Sequence, residues 1–453
     1  MALSRRRFFQ GAGALTLLAG RLPVPAFAQS APAGDIPPIL FVHGNGDHAA
    51  LWMTTLWRME SNGVPRERMA AINFTDPLAR ADDKVEQAGR SSTEDQRRAL
   101  AEAVRELKQS SGAARIALVG NSRGGNAIRN TVKNGGGGDI SHAVLCGTPN
   151  HGVYASDDGL GNEFNGRGPF LRGLNDGDSE VTAGTAFLTL RSDGLDKYAQ
   201  TDGRFIGKPG TPTNVTTEGP ALKGATNLVL GAVDHRETAY HPRAFREIYR
   251  FVAGREPSRI EIVPETAVRL SGLVTGTPGG VPTNRPVPGA VVDIYHVSAE
   301  TGERLGGPLH SSQTGADGRW GPAQVDPSWP LEFVLTSPAA VTTHIYRSPF
   351  PRSSDIVHLR AARPMPPADA GAGAIVLMSR PRGYFGLPRD IVLFDGKEPA
   401  DVKSGVPTDA VTTLRLTAAE VGRPVAAIFN AERIVMRAWP ASENRIAVAE
   451  LTY

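Results

Sequence analysis

The chain has 453 residues, enough for two to four domains at roughly 100–200 residues each. Its 40% hydrophobic and 21% charged content excludes wholesale disorder. The 51 glycines and 35 prolines predict many turns and at least one loop-rich β region.

The N-terminus carries the features of an export signal. Residues 1–28 combine the basic start Ser4-Arg5-Arg6-Arg7-Phe8-Phe9, an apolar run from Gly11 to Gly20, and the small-residue site Ala26-Phe27-Ala28. The apolar run is too short for a bilayer, which needs about 20 residues, so no transmembrane segment is expected. The arginine pairs resemble a twin-arginine signal, which implies export of an already folded protein to the periplasm or beyond. Cleavage after Ala28 removes Arg5, Arg6, Arg7 and Arg21 and no acid, taking the formal charge from +3 to −1. A mature chain near neutrality has no general field for phosphate backbones, so nucleic acid is not an expected partner. Cys146 is the only cysteine, so no intramolecular disulfide is possible. Within Ala143-Val144-Leu145-Cys146 it reads as a small buried hydrophobe.

From residue 36 to about 254, short apolar runs alternate with helical stretches. The runs are Ile39-Leu40-Phe41-Val42, Ile116-Ala117-Leu118-Val119, His142-Ala143-Val144-Leu145, Phe187-Leu188-Thr189-Leu190 and Leu228-Val229-Leu230. They are continuous rather than alternating, as strands covered on both faces are. A capping-box start at Ser92-Thr93-Glu94-Asp95 leads into Leu100, Val104 and Leu107 at helical spacing. A second helix is expected from Ser122 to about Lys133, and a third from Pro242 to Val252. This alternation predicts an α/β fold with a mostly parallel sheet.

After Gly254 the pattern changes to short strands between Gly-rich turns, including Val268-Arg269-Leu270, Ala290 to Tyr295, Leu331 to Leu335 and Ile356 to Leu359. A small all-β sandwich over residues 262–362 follows from that spacing. The Pro/Ala/Gly stretch Ala361 to Gly373 reads as a linker, and residues 373–453 read as a second β module.

The sequence Gly120-Asn121-Ser122-Arg123-Gly124 places G-x-S-x-G between a strand and a helix. The glycines permit a strained turn that lifts the Ser122 hydroxyl clear of the sheet, and the following helix points its N-terminus at a developing oxyanion. The competing reading is an ordinary helix-capping serine. The first strand ends in Val42-His43-Gly44-Asn45-Gly46, and Gly147-Thr148-Pro149-Asn150-His151-Gly152 comes later. These motifs resemble the α/β-hydrolase superfamily, and within it bacterial exported class 2 lipases and esterases, over residues 36–254.

The resemblance implies an α/β-hydrolase catalytic domain over residues 29–256, with helices on both faces of its sheet. It implies the backbone N–H groups of Asn45 and Arg123 as oxyanion donors and His43 as a brace for its turn. Its order of nucleophile, acid and histidine selects His235, on the loop after Leu228-Val229-Leu230, over His241 and His151. The acid belongs on the turn after Leu190, where Asp193 and Asp196 both occur. Asp196, followed by Lys197-Tyr198-Ala199-Gln200, matches the class 2 pattern better, and Asp193 stays as the alternative. Asp234 reads as solvated or structural. No cofactor and no metal is implied; Asp157-Asp158 is a weak calcium candidate only. The glycine-rich stretch Tyr154 to Thr185 reads either as a lid or cleft wall or as a surface excursion packed over the sheet, and Trp52 and Trp57 as acyl-pocket or core residues.

In the C-terminal half, Pro286 to Ile294 and Thr314-Gly315-Ala316-Asp317-Gly318-Arg319-Trp320 resemble a carboxypeptidase-regulatory or transthyretin-like sandwich. Trp320, Trp329 and Trp439 read either as sugar- or polymer-stacking residues or as core. The expected activity is that of an exported serine hydrolase acting on carboxylic esters, with an ester, lipid or polymer surface as partner. Alternatives are a polyester or polysaccharide-ester depolymerase that binds through the β modules, amide or lactone hydrolysis by the same triad, and an adhesive protein with a relict hydrolase core.

Overall fold

The computed structural model describes residues 36–337 and 340–453. The signal-like segment 1–28 lies outside the described residues. The N-terminal half contains strands β1 (Ile39–Val42), β2 (Met69–Ile72), β3 (Leu78–Ala79), β4 (Arg90–Ser91), β5 (Ile116–Asn121), β6 (Ile140–Cys146), β7 (Ala186–Ser192) and β8 (Thr226–Leu230). Six of them form one sheet in the order β2-β1-β5-β6-β7-β8. Every pairing in it is parallel. The helices are α1 (Met53–Ser61), α2 (Thr93–Ser111), α3 (Arg123–Thr131), α4 (Pro169–Leu174), α5 (Glu237–Tyr240) and α6 (Pro242–Ala253).

Alternate residues of the inner strands β1, β5 and β6 feed two different cores, which is why those runs are apolar throughout. The run Leu228-Val229-Leu230 departs from this expectation: β8 is an edge strand, and Val229 is 53% exposed, so only one of its faces is covered. Ile39, Phe41, Ala117 and Val119 face Leu56 and Trp57 of α1 and Phe245 and Ile248 of α6. Leu40, Val42, Ile116 and Leu118 face Leu100 and Val104 of α2 and Ile128 of α3. The start of α2 is the expected capping box: Ser92 accepts from Asp95 N–H and the Asp95 carboxylate accepts from Ser92 N–H. The helix after Ser122 ends earlier than its sequence suggests, at Thr131. The chain then widens into a π turn, Val132–Gly136, where the glycines begin.

The C-terminal half contains β9 (Val268–Thr275), β10 (Val291–His296), β11 (His310–Gln313), β12 (Arg319–Val325), β13 (Leu331–Thr336), β14 (Thr342–Arg347), β15 (Leu359–Arg360), β16 (Ala374–Ser379), β17 (Val392–Phe394), β18 (Val411–Leu416), β19 (Pro424–Phe429), β20 (Glu432–Arg437) and β21 (Arg445–Glu450). The strand expected over Ile356–Leu359 shrinks to Leu359–Arg360, because the Val357 carbonyl accepts from the Trp320 indole instead of a strand partner.

The stretch 361–373 does not separate two sheets. A seven-stranded sheet runs β11-β10-β13-β14-β21-β16-β18 through both β segments, joined by the parallel pairing of β14 with β21. Residues after 373 do keep a second layer, β17-β19-β20, and a core around Phe385, Phe429 and Met436.

The hydrolase half and the first β segment also share one apolar core. At the seam, the Trp57 indole donates to Ser353 O at 2.9 Å and its ring meets Phe350 edge-on, with centroids 6.1 Å apart. Trp57→Ala is therefore expected to lower the urea-unfolding free energy of the mature chain by about 3–5 kcal/mol. A change below about 1 kcal/mol would show that the seam contributes little.

Candidate active site

Ser122 leaves β5 with φ 54° and ψ −124°, a left-handed backbone that a serine adopts only under constraint. Its N–H donates to Cys146 O at 2.8 Å, and its carbonyl accepts from Gly125 N–H at 3.0 Å. The turn exists because two neighbours lack side chains. A Cβ on Gly124 would lie 2.5 Å from His43 O, and one on Gly44 would lie 2.9 Å from Ser122 Cβ. Ser122 occupies the position before α3, but its hydroxyl makes no capping hydrogen bond. That removes the ordinary helix-capping explanation.

His235 stands on the loop after β8. Its Nδ1 lies 2.7 Å from Asp196 Oδ2, while Asp196 Oδ1 accepts from Tyr198 N–H at 2.8 Å. The Tyr198 ring packs edge-on against the imidazole, with centroids 4.7 Å apart. Asp193, the alternative acid, faces elsewhere: its Oδ2 accepts from Ala232 N–H at 2.9 Å. The turn between them, closed by Leu195 N–H donating to Ser192 Oγ, carries Asp196 round to the imidazole.

Ser122, His235, Gly44 and Asn45 line one cavity of about 250 Å³. Its apolar wall comes from Tyr154, Phe164, Phe205, Ile206 and Tyr384. Among the described residues, the backbone N–H groups of Asn45 and Arg123 have no protein acceptor. Both side chains are engaged elsewhere. Asn45 Oδ1 accepts from Ala79 N–H at 2.7 Å. The fully buried Arg123 guanidinium donates to Glu163 Oε1 at 2.8 Å, to Pro77 O and to Ser91 O. Burial pushes the Glu163 carboxyl up, against the pull of Arg123.

The other candidates take structural places. His43 Nδ1 donates to Gly44 O at 2.9 Å and Nε2 accepts from Phe74 N–H at 3.1 Å, the neutral form that its burial favours. His241 Nδ1 accepts from Arg243 N–H at the start of α6, and burial pulls its pKa down to about 4. His151 meets Glu180 at 3.0 Å. Asp234 is fully buried, not solvated. Burial would raise its carboxyl, but Arg380, Arg389 and N–H donors hold it below the usual range. Cys146 is buried, and desolvation pushes its thiol up.

Trp52 and Trp57 sit in the core and away from the cavity. Within the Tyr154–Thr185 stretch, Tyr154, Asn162 and Phe164 reach the cavity wall, whereas Leu171 and Leu174 of α4 are buried elsewhere. The sequence reading missed Phe205 and Ile206, on the single helical turn Gly203–Ile206, and Tyr384, since an isolated apolar residue on so short an element has no periodic signal. Among the described residues, no group of three or more His, Cys, Asp or Glu is arranged to hold a metal, and Asp157 pairs with Arg167. No helix among them is long and apolar enough to cross a membrane.

The palmitoyl protein thioesterase family profile matches residues 38–178, and the lipase C-terminal domain profile matches residues 266–364. No curated protein matches the chain in sequence. Among solved structures, the propeptide form of Bacillus licheniformis lipase BlEst2 is 15% identical, with 91% of this chain and 94% of that chain covered and a TM-score of 0.37. The mature form of the same lipase is 19% identical, with 50% and 94% covered and a TM-score of 0.35. Aspergillus fumigatus lipase B is 14% identical, with 52% and 57% covered and a TM-score of 0.35. With its parallel sheet, its strand–Ser122–helix turn and these two matched segments, the chain is a lipase-like α/β-hydrolase.

Proposed function

We propose that the protein is an exported serine hydrolase of carboxylic esters, with Ser122 as nucleophile, His235 as base and Asp196 as acid. The observation that carries this reading is the 2.7 Å contact between Asp196 Oδ2 and His235 Nδ1 beside a cavity that Ser122 also lines. His235 Nε2 takes the Ser122 proton as Oγ attacks the ester carbonyl, and later returns it to the leaving alcohol. Asp196 holds the Nδ1–H tautomer and stabilises the imidazolium. The N–H groups of Asn45 and Arg123 receive the oxyanion, each such donor being worth about 10²–10³ in rate. Water then hydrolyses the acyl-enzyme by the same relay.

The cavity, about 250 Å³ and walled by Tyr154, Phe164, Phe205 and Ile206, sits at or below the roughly 300–1,000 Å³ common for small-molecule pockets. That size favours a short or compact acyl group over a long chain. A polymer-binding role for the C-terminal tryptophans has little support. Trp320 is buried, Trp329 stacks on His296, and Trp439 stacks on His344. Export rests on the basic, apolar and A-x-A order of residues 1–28.

Mature wild-type chain is expected to hydrolyse p-nitrophenyl acetate and butyrate faster than palmitate, and Ser122→Ala to abolish turnover and fluorophosphonate labelling. Labelling that persists in Ser122→Ala would remove Ser122 from the reaction. Asp196→Asn is expected to cut kcat by roughly 10⁴, while Asp193→Asn leaves the rate within a few-fold; the reverse ranking would assign the acid to Asp193. Replacing Arg5, Arg6 and Arg7 by lysine keeps the charge and is expected to trap the precursor in the cytoplasm, as read by fractionation.

A further inference from the structure

The C-terminal β segment reaches into the catalytic cavity. Tyr384, on the turn that follows β16, is 4% exposed and forms part of the wall that Ser122 and His235 share. Its ring has a cation on each of two neighbouring loops. Lys197 Nζ lies 3.8 Å from the ring centroid, and the Arg236 guanidinium carbon lies 5.2 Å from it. Lys197 is the residue after Asp196, and Arg236 is the residue after His235. A single aromatic ring thus touches the chain next to the acid and the chain next to the base.

The surrounding contacts run the same way. Lys197 Nζ donates to Thr408 O at 3.1 Å and Arg236 Nη1 to Pro381 O at 2.7 Å. Tyr384 N–H and Arg380 Nη1 both donate to Asp234 Oδ2 at 2.9 Å, one residue before His235. Arg389 Nη1 donates to Glu237 Oε2 at 2.7 Å, two residues after it. The acid and base loops belong to the hydrolase half, where loops are ordinarily the mobile part. Here their backbone and charges are tied to residues 380–408.

We propose that the C-terminal β segment is part of the catalytic site, and that Tyr384 is the positioning residue through which it fixes the Asp196 and His235 loops and closes the substrate cavity. This rests on the serine-hydrolase reading above. Two consequences separate it from a purely structural role. Removing the ring frees the two loops, which lowers kcat. It also opens one wall of a small cavity, which changes the acyl groups accepted.

The test uses the full mature chain and the variants Tyr384→Ala, Tyr384→Leu and Tyr384→Phe, each checked by thermal melting. Fluorophosphonate labelling rates and kcat and KM are read over p-nitrophenyl esters from acetate to decanoate. Tyr384→Ala is expected to lose about 10²-fold in kcat on acetate, the usual cost of loosening a catalytic geometry by about 1 Å. It is also expected to shift its preferred acyl length upward, and Tyr384→Phe, which keeps the ring face, to restore most of the rate and the original length profile. Should Tyr384→Ala not fold, Tyr384→Leu, which fills space but offers no ring face to a cation, is read in the same way. A folded Tyr384→Ala or Tyr384→Leu with wild-type kcat and length profile would overturn the proposal and leave Ser122 labelling intact. A wild-type chain that neither labels nor turns over would overturn the serine-hydrolase reading, and this proposal with it.

Discussion

The left-handed backbone at Ser122 is the constraint on which the rest of the N-terminal half depends. A serine held at φ 54° costs roughly 1–3 kcal/mol, and it persists only because its surroundings leave no alternative. Its N–H is committed to β6 through Cys146 O, and its carbonyl to the first turn of α3 through Gly125. The turn after β1 presses against it from the other side, so closely that neither Gly44 nor Gly124 has room for a Cβ. That approach brings Gly44 and Asn45, from the turn after β1, to the cavity that Ser122 lines. The hydroxyl of Ser122 emerges there uncapped.

Buried charge then fixes the loops that surround this turn. On one side Arg123 and Glu163, both almost fully buried, tie the start of α3 to the Tyr154–Thr185 stretch and to β4. On the other, Asp234 and Glu237 bracket His235 and meet Arg380 and Arg389 from the C-terminal segment. Removing one partner from a buried pair costs about 3–5 kcal/mol, because the other charge is left without water or counter-ion. Such pairs also specify geometry more narrowly than apolar packing does, since guanidinium and carboxylate meet in few orientations. The arrangement suits loops that must hold an imidazole and a carboxylate within hydrogen-bonding distance.

The C-terminal half illustrates how folding redraws a division suggested by composition. The Pro/Ala/Gly stretch at 361–373 has the composition of a linker, but Met365 and Ala362 pack against Ile375, Ile446 and Val448 on one sheet. The last strand, β21, inserts between β14 and β16 and so joins two segments into a single seven-stranded sheet. Pairing between strands distant in sequence leaves no periodic trace, because each strand shows only which of its faces is apolar. The tryptophans behave similarly. Trp320 and Trp57 end in one continuous core, a fact decided by their neighbours and not by the residue type.

By itself the sequence determined the local elements. The two-faced apolar runs demanded a covered parallel sheet, Ser92 and Asp95 set the start of α2, and the glycines around Ser122 allowed only a tight turn there. These are short-range constraints, written into neighbouring residues. The choice between Asp193 and Asp196 was open at that level, since both lie on one turn and differ only in where it points them. Tertiary structure separates the two side chains: the Leu195–Ser192 turn carries Asp196 to within 2.7 Å of the His235 imidazole, while Asp193 accepts from Ala232 N–H. Glu163, Phe205 and Tyr384 were invisible for the same reason. A buried counter-ion or a cavity wall is a relation between distant segments, and it exists only once the chain has closed around it.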